Sequence, residues 1–300
     1  MNSKSIEYIN SFFEGNVENK TIIITGGNSG IGLESAKICA YLKMHVIITV
    51  RSVEKGNKAI EEIKNEVSDA NVEMMLLDTS KEESIKEFVN NIKDKNIDID
   101  VFYHNAGVYR QPYKETDLGD LMIATNYFGP FILTSLLLDY LHVLQHEVKM
   151  VFTSSVAANW WSKNDEYLLH PTPKQSRSRR YGNSKLMDAY LFNYLANNDK
   201  NNIKYYLVHP GTSVTGLIAN NYPKFIAKLF SLFSNPIWKS SLSILKILSS
   251  DNKPFTFYGP TDFFYLRGYP KEVHFLDNKY VDVNEKIKES EEILNYKLMY

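Results

Sequence analysis

What most restricts the fold of this chain is an alternation that runs from residue 21 to residue 211. Short apolar or β-branched runs recur: TIIIT (21–25), HVIITV (45–50), VEMMLL (72–77), DVFYHNAG (100–107), KMVFTSS (149–155) and KYYLVHPG (204–211). Between them lie segments with helical spacing. Ala59, Ile60, Ile63 and Val67 share one face of residues 54–67, and Ile85, Phe88, Val89 and Ile92 share one face of residues 84–92. Further helices are expected over 32–42, from about 121 to 144 and from about 182 to 197. Strand and helix in strict alternation imply a parallel, doubly wound α/β sheet with helices on both faces. Such a sheet binds ligands at the carboxyl ends of its strands, so the residues just past each strand are the first candidates for a site. No repeat or clear linker interrupts the chain, which reads as a single domain: a core over 20–215, a substrate-covering segment over 216–256 and a C-terminal segment over 257–300. Residues 1–20 read as a polar leader. Residues 212–250, with Pro223 and Pro236, read as short helices laid over the core.

The turn after the first strand is TGGNSGIG. Gly26, Gly30 and Gly32 stand where the chain must turn sharply, approach a ligand and start a helix, and the missing Cβ atoms permit that approach. Backbone N–H groups along Asn28, Ser29, Gly30, Ile31 and Gly32, aided by the helix dipole, would then face a pyrophosphate. A glycine-rich loop with no ligand is the bland alternative, and the position between the first strand and a helix argues against it. The expected fold is therefore of the Rossmann type. The second strand ends in TVRS, where a carboxylate would select NAD(H); here Val50 and then Arg51 occupy that place. A guanidinium pairs bidentately with a 2′-phosphate, so NADP(H) is expected over NAD(H), with Lys55 assisting. The competing reading makes Arg51 a solvated surface charge. Asp78, at the end of the third strand, has a helix N-cap role open to it.

Tyr181 and Lys185 form Y-x-x-x-K in RYGNSKLMDAY, and a four-residue offset puts both on one helix face. A free phenol, with a pKa of about 10, is a poor base near neutrality, and a neighbouring ammonium favours the phenolate. The same spacing is common on helix surfaces, so the pair gains weight only from its company. Ser154 and Ser155 follow the strand KMVFTSS, and a serine hydroxyl there can hold a substrate oxygen beside the tyrosine.

Together these segments resemble the short-chain dehydrogenase/reductase family over roughly residues 20–215, with a branch similar to retinol dehydrogenases. The glycine spacing T-G-x-x-x-G-x-G carries part of the resemblance. It implies that Ser155, the second of its pair, is the catalytic serine, and that Asn126 in ATNYFGPF supports a water and the lysine in a proton relay. It places Asn105, Ala106 and Gly107 of HNAG along the cofactor and Asp78 at the adenine. Within HPGTSVT it places Gly211 beside the nicotinamide and Thr215 at its carboxamide. It also implies that Tyr181 and Lys185 touch the cofactor, and that a hydride passes to a carbonyl while Tyr181 gives the proton. A homo-oligomer is a family expectation. His104 departs from the family's NNAG and reads as a core histidine bonded to backbone.

Twenty-five residues separate Ser155 from Tyr181, and their insert carries Trp160 and Trp161. With the region after 216 these suggest a lipophilic pocket for a hydrophobic ketone, aldehyde or alcohol, although packing under a lid explains them nearly as well. Lys174, Arg177, Arg179 and Arg180 read most simply as a solvated loop, with a site for an anionic substrate group as the alternative.

The remaining composition mostly excludes. With 44% hydrophobic residues the chain can build a sizeable core, and a formal charge of −1 gives no net attraction to nucleic acid or an acidic membrane. No transmembrane span or secretory leader is read, cytoplasm is the default, and peripheral membrane contact is left open. The single cysteine, Cys39, reads as buried on a helix face, and no metal site is expected. A cofactor-binding regulator or scaffold that lost turnover is the alternative function; an intact Asn126, Ser155, Tyr181 and Lys185 argues against it. A sugar-nucleotide epimerase lacks support, because its larger C-terminal domain and G-x-x-G-x-x-G turn are both missing.

Overall fold

In the computed structural model, which describes residues 1–213 and 234–300, all six expected strands form. The chain runs through α1 (Ser3–Phe12), β1 (Thr21–Ile24), α2 (Gly30–Tyr41), β2 (His45–Val50), α3 (Val53–Glu66), β3 (Val72–Leu76), α4 (Glu82–Asp94) and β4 (Val101–His104). A small ribbon follows, β5 (Glu115–Thr116) and β6 (Gly119–Asp120), and then α5 (Leu121–His142), β7 (Val148–Thr153), α6 (Ala157–Trp160), α7 (Arg177–Asn198) and β8 (Ile203–Val208). After the undescribed residues come α8 (Ile237–Ser240), α9 (Leu242–Leu248), β9 (Thr256–Asp262), β10 (Arg267–Glu272) and α10 (Val283–Leu294).

The main sheet has the order β10-β9-β8-β7-β4-β1-β2-β3. It is parallel except where β10 returns antiparallel to β9. The chain builds outward from β1 to β3, then crosses back to β4 and builds the other way. That reversal leaves a crevice past the ends of β1 and β4, where no single loop can cover both strands. Strands with apolar residues on both faces need a core on each side. Ile23, Ile47 and Phe102 face one core, shared with α4, α5 and α7. Their neighbours Ile22, Ile24, Val46, Ile48, Val101 and Tyr103 face the other, shared with α2 and α3. Cys39 is buried and unpaired within this second core.

Three segments differ from expectation. The polar leader folds as α1: Asn2 caps it by accepting from Lys4 N at 2.9 Å, and Ile9 is buried against Ile38, Leu242 and Leu245. One anchoring residue was enough because α8 and α9 close over it. Helix α7 begins five residues before 182, since Ser176 accepts from Arg179 N at 3.2 Å and caps a turn that the cluster of arginines disguised as a loop. Residues 257–300 supply two further strands and a helix. Pro270 is tolerated on the sheet's edge strand, where the β9–β10 register shifts. Helix α5 is long and apolar enough to cross a membrane by length and composition, and 83% of its most apolar window is buried within the protein.

Candidate active site

The carboxyl ends of β1, β2, β4, β7 and β8 open onto a cavity of about 700 Å³. Its floor is the glycine turn. Gly30 has φ +56°, in the left-handed region that favours glycine, and a Cβ on Gly32 would lie 2.5 Å from Asn105 Nδ2 and 2.6 Å from Gly26 O. Only a glycine lets the start of α2 approach both β1 and β4 this closely. Ser29 is the N-cap of α2, but its side chain makes no capping bond, so the first-turn N–H groups are left for a ligand at the cavity wall.

Thr25, which the sequence did not single out, braces this floor. Its Oγ1 accepts from Asn105 N and Ala106 N, each at 2.9 Å, while Asn105 Nδ2 donates to Thr25 O at 2.8 Å. Asn105, Ala106 and Gly107 therefore line the cavity mainly with main chain. Arg51 lies exposed at the cavity wall and makes no ion pair among the described residues. Asp78 also lines the wall, with its Oδ1 accepting from Ser80 N at 3.1 Å and Ser80 Oγ at 2.7 Å. It shapes the turn ahead of α4, whose N-cap position falls to Lys81, so the alternative N-cap role is not the one it performs.

The far wall holds the tyrosine. Ser154 and Ser155 leave β7 together and part at once: Ser154 Oγ is buried and donates to Lys185 O at 2.8 Å, whereas Ser155 Oγ accepts from Ala157 N at 3.2 Å and lines the cavity with Tyr181. Burial pushes the Tyr181 phenol above its ordinary value, and the Lys185 ammonium and the Ser155 hydroxyl offset only part of that rise. Lys185 Nζ donates to Thr153 O at 2.8 Å and to Asp188 Oδ2 at 2.8 Å, which leaves one N–H for another acceptor. Asn126 sits in a π-helical turn of α5, Ala124–Phe128, of the kind often found at functional sites. Its Oδ1 accepts from Val108 N at 2.7 Å, and its Nδ2 donates to Val108 O at 3.0 Å and Ser184 Oγ at 2.9 Å. The amide thus anchors the strand-to-loop exit after HNAG, beside Lys185 but without a bond to it.

Aromatic and apolar side chains line the rest of the cavity. The Tyr109 ring stands edge-on to Tyr181 at 4.8 Å, and Trp160, Trp161, Val156, Leu121 and Leu266 complete the lining with Gln111. Gly211, with φ +78°, passes under the Leu266 carbonyl of the β9–β10 hairpin and reaches the same cavity. Thr215 lies outside the described residues. His104 is buried and stacked on Phe152 at 4.7 Å; its Nε2 meets the Thr134 hydroxyl at 3.2 Å rather than the expected backbone group. Burial lowers its pKa to about 3.

Of the four basic residues read as a solvated loop, Arg180 is a correction. It is buried and donates to both oxygens of buried Asp120, at 2.8 and 2.7 Å, and to Gln111 O at 3.1 Å. A helix that starts at Arg177 turns this side chain inward, where the carboxylate of β6 neutralises it. Arg179 pairs with Asp165, while Lys174 and Arg177 are exposed.

Known proteins resemble this chain in sequence and in fold. A sequence profile of the short chain dehydrogenase family matches residues 20–167. Short-chain dehydrogenase TIC 32 B, chloroplastic, of Brassica napus is 32% identical over 232 residues, 73% of this chain and 71% of that protein. Retinol dehydrogenase 12 of Homo sapiens is 32% identical over 235 residues, 75% of this chain and 73% of that one. A solved protein from Mycobacterium paratuberculosis superposes with a TM-score of 0.77 at 24% identity, covering 97% of this chain and 98% of the other, which extends the likeness of fold through the C-terminal strands and helix. Sheet order and sequence kinship agree: this chain belongs to the short-chain dehydrogenase/reductase family, in its retinol-dehydrogenase-like branch, as an oxidoreductase acting on CH–OH and C=O groups.

Proposed function

We propose that this protein interconverts a hydrophobic carbonyl compound and its alcohol with NADP(H), and that Tyr181 is the general acid and base. One observation carries the reading: Ser155, Tyr181 and Lys185 line the same cavity of about 700 Å³ as the glycine turn. The residues fit a dinucleotide. The close approach at Gly32 and the uncapped start of α2 suit a pyrophosphate, Arg51 suits a 2′-phosphate, and the free N–H of Lys185 suits a ribose hydroxyl. When bound, the reduced nicotinamide supplies the hydride for the substrate carbon.

The chain's own residues do the rest. Ser155 holds and polarises the substrate oxygen. Tyr181, a phenol that is protonated at neutral pH and that burial holds above its ordinary value, donates its proton to that oxygen as negative charge develops there. In the reverse direction Tyr181 accepts the proton, aided by the Lys185 ammonium. Tyr109, Trp160, Trp161 and Leu266 exclude water and favour an apolar substrate.

The test is Tyr181→Phe, which keeps the ring against Tyr109. Fluorescence titration selects the cofactor, and a panel of aliphatic and aromatic ketones and aldehydes selects a working substrate. The variant is expected to bind NADPH as the parent does and to lose about 10²-fold or more in turnover. Turnover near that of the parent would rule out the proton role.

A further inference from the structure

Asp188 lies three residues beyond Lys185 on α7, and the two side chains are buried together, Asp188 at 3% exposure and Lys185 at 4%. Its Oδ2 takes one of the three N–H bonds of the ammonium at 2.8 Å, and Thr153 O takes a second. A buried carboxylate is costly unless a cation answers it, and Lys185 is the cation that acts on Asp188. The other groups facing the pair are few. Tyr181 lies on the same helix and Tyr127 on the π-helical turn of α5, its hydroxyl bonded to Ser290 of α10 at 2.7 Å. Neutral His104 of β4 also feels the ammonium.

Electrostatics gives this pairing a consequence at the phenol. A lone ammonium beside Tyr181 stabilises the phenolate, and a carboxylate bonded to that ammonium cancels much of the effect. We propose that Asp188 is a positioning residue of this site, fixing the Lys185 ammonium and offsetting the charge it presents to Tyr181, so that the phenol keeps its proton to a higher pH than the ammonium alone would allow. The inference rests on the acid and base role of Tyr181 proposed above. Burial raises the Asp188 carboxyl above its ordinary value, and the Lys185 ammonium bonded to it works the other way, toward the carboxylate.

The test needs no turnover. The full chain is labelled with [13Cζ]tyrosine, the Tyr181 resonance is identified by its absence in Tyr181→Phe, and its titration is followed through alkaline pH in the parent and in Asp188→Asn. The midpoint is expected to fall by about one pH unit in Asp188→Asn, about tenfold more phenolate at a given pH below the midpoint. A midpoint that stays or rises overturns the proposal, because a merely structural carboxylate would change stability and leave the phenol alone. Asp188→Ser is carried in parallel, and circular dichroism selects the variant that keeps the parent fold. If neither folds, the carboxylate is a folding requirement and the assignment fails. Failure of the underlying reading looks different: a Tyr181→Phe enzyme that keeps its turnover, with the titration shift unaffected.

Discussion

Arg51 and Asp188 are both charges at one site, and their surroundings give them opposite consequences. Arg51 is exposed at the cavity wall without an ion pair among the described residues, so removing it should change what binds and little else. Arg51→Ala is expected to weaken NADPH by about tenfold or more and leave NADH nearly unchanged, since charge-assisted bonds of this type contribute about 1.5–3 kcal/mol. Equal weakening of the two cofactors in a fluorescence titration would remove the 2′-phosphate from the account. That Arg51, Gly32 and Tyr181 line the cavity could be read in the sequence, because each stands just past a strand or at a fixed helical offset. Thr25, Tyr109 and Gln111 could not, because their partners lie elsewhere in the chain: Thr25 meets Asn105 eighty positions away. Asp188 did leave a trace. It is the one charge in the apolar run LMDAYLF after Lys185, and an acid inside such a run asks for a buried partner.

At the scale of elements, the start of α7 is where expectation and structure part most sharply. Reading RSRR as solvent-facing ignored that a helix must put one residue in four inward, and Arg180 is that residue. Its bonds to Asp120 and Gln111 O tie the β5–β6 ribbon to the turn just before Tyr181. Arg180→Met removes one partner of a fully buried pair and leaves the Asp120 carboxylate alone, so it should cost about 3–5 kcal/mol. Chemical denaturation is the measurement. A loss below about 1 kcal/mol would mean that Asp120 finds another partner or reaches water. The helices with strong apolar spacing, α3 and α4, were readable almost to their ends, because one face of each had to meet the sheet. Helix α1 was not, since its single buried anchor depends on α8 and α9, more than two hundred residues later.

The whole molecule adds a pH dependence that belongs to no single element. His104 lies in the middle of the sheet, and burial depresses its pKa from 6.5 to about 3. The imidazole is neutral in the folded protein and takes up a proton on unfolding between those values, so its contribution to stability is intact above about 6.5 and lost as pH falls toward 3. His104→Phe keeps the stack on Phe152 and removes this uptake. Below about pH 6.5 the parent should lose stability relative to that variant by about 1.4 kcal/mol per pH unit, read from denaturation midpoints. Parallel curves would mean that His104 is already protonated in the fold. The parallel sheet was legible from the alternation alone, but its last two strands were not, because residues 257–300 carry prolines and glycines that deny them a strand's usual signature.

The burial of Cys39 in the core between α2 and the sheet has a practical side. The chain owns one thiol, and burial pushes that thiol well above its ordinary pKa, so the native protein should be inert to alkylating reagents and should release a single equivalent only when unfolded. A cysteine introduced near the cavity, at Gln111 or at Trp160, would then be the sole reactive handle in the molecule. A fluorophore or spin label attached there would report cofactor arrival without any need to strip the native sequence first.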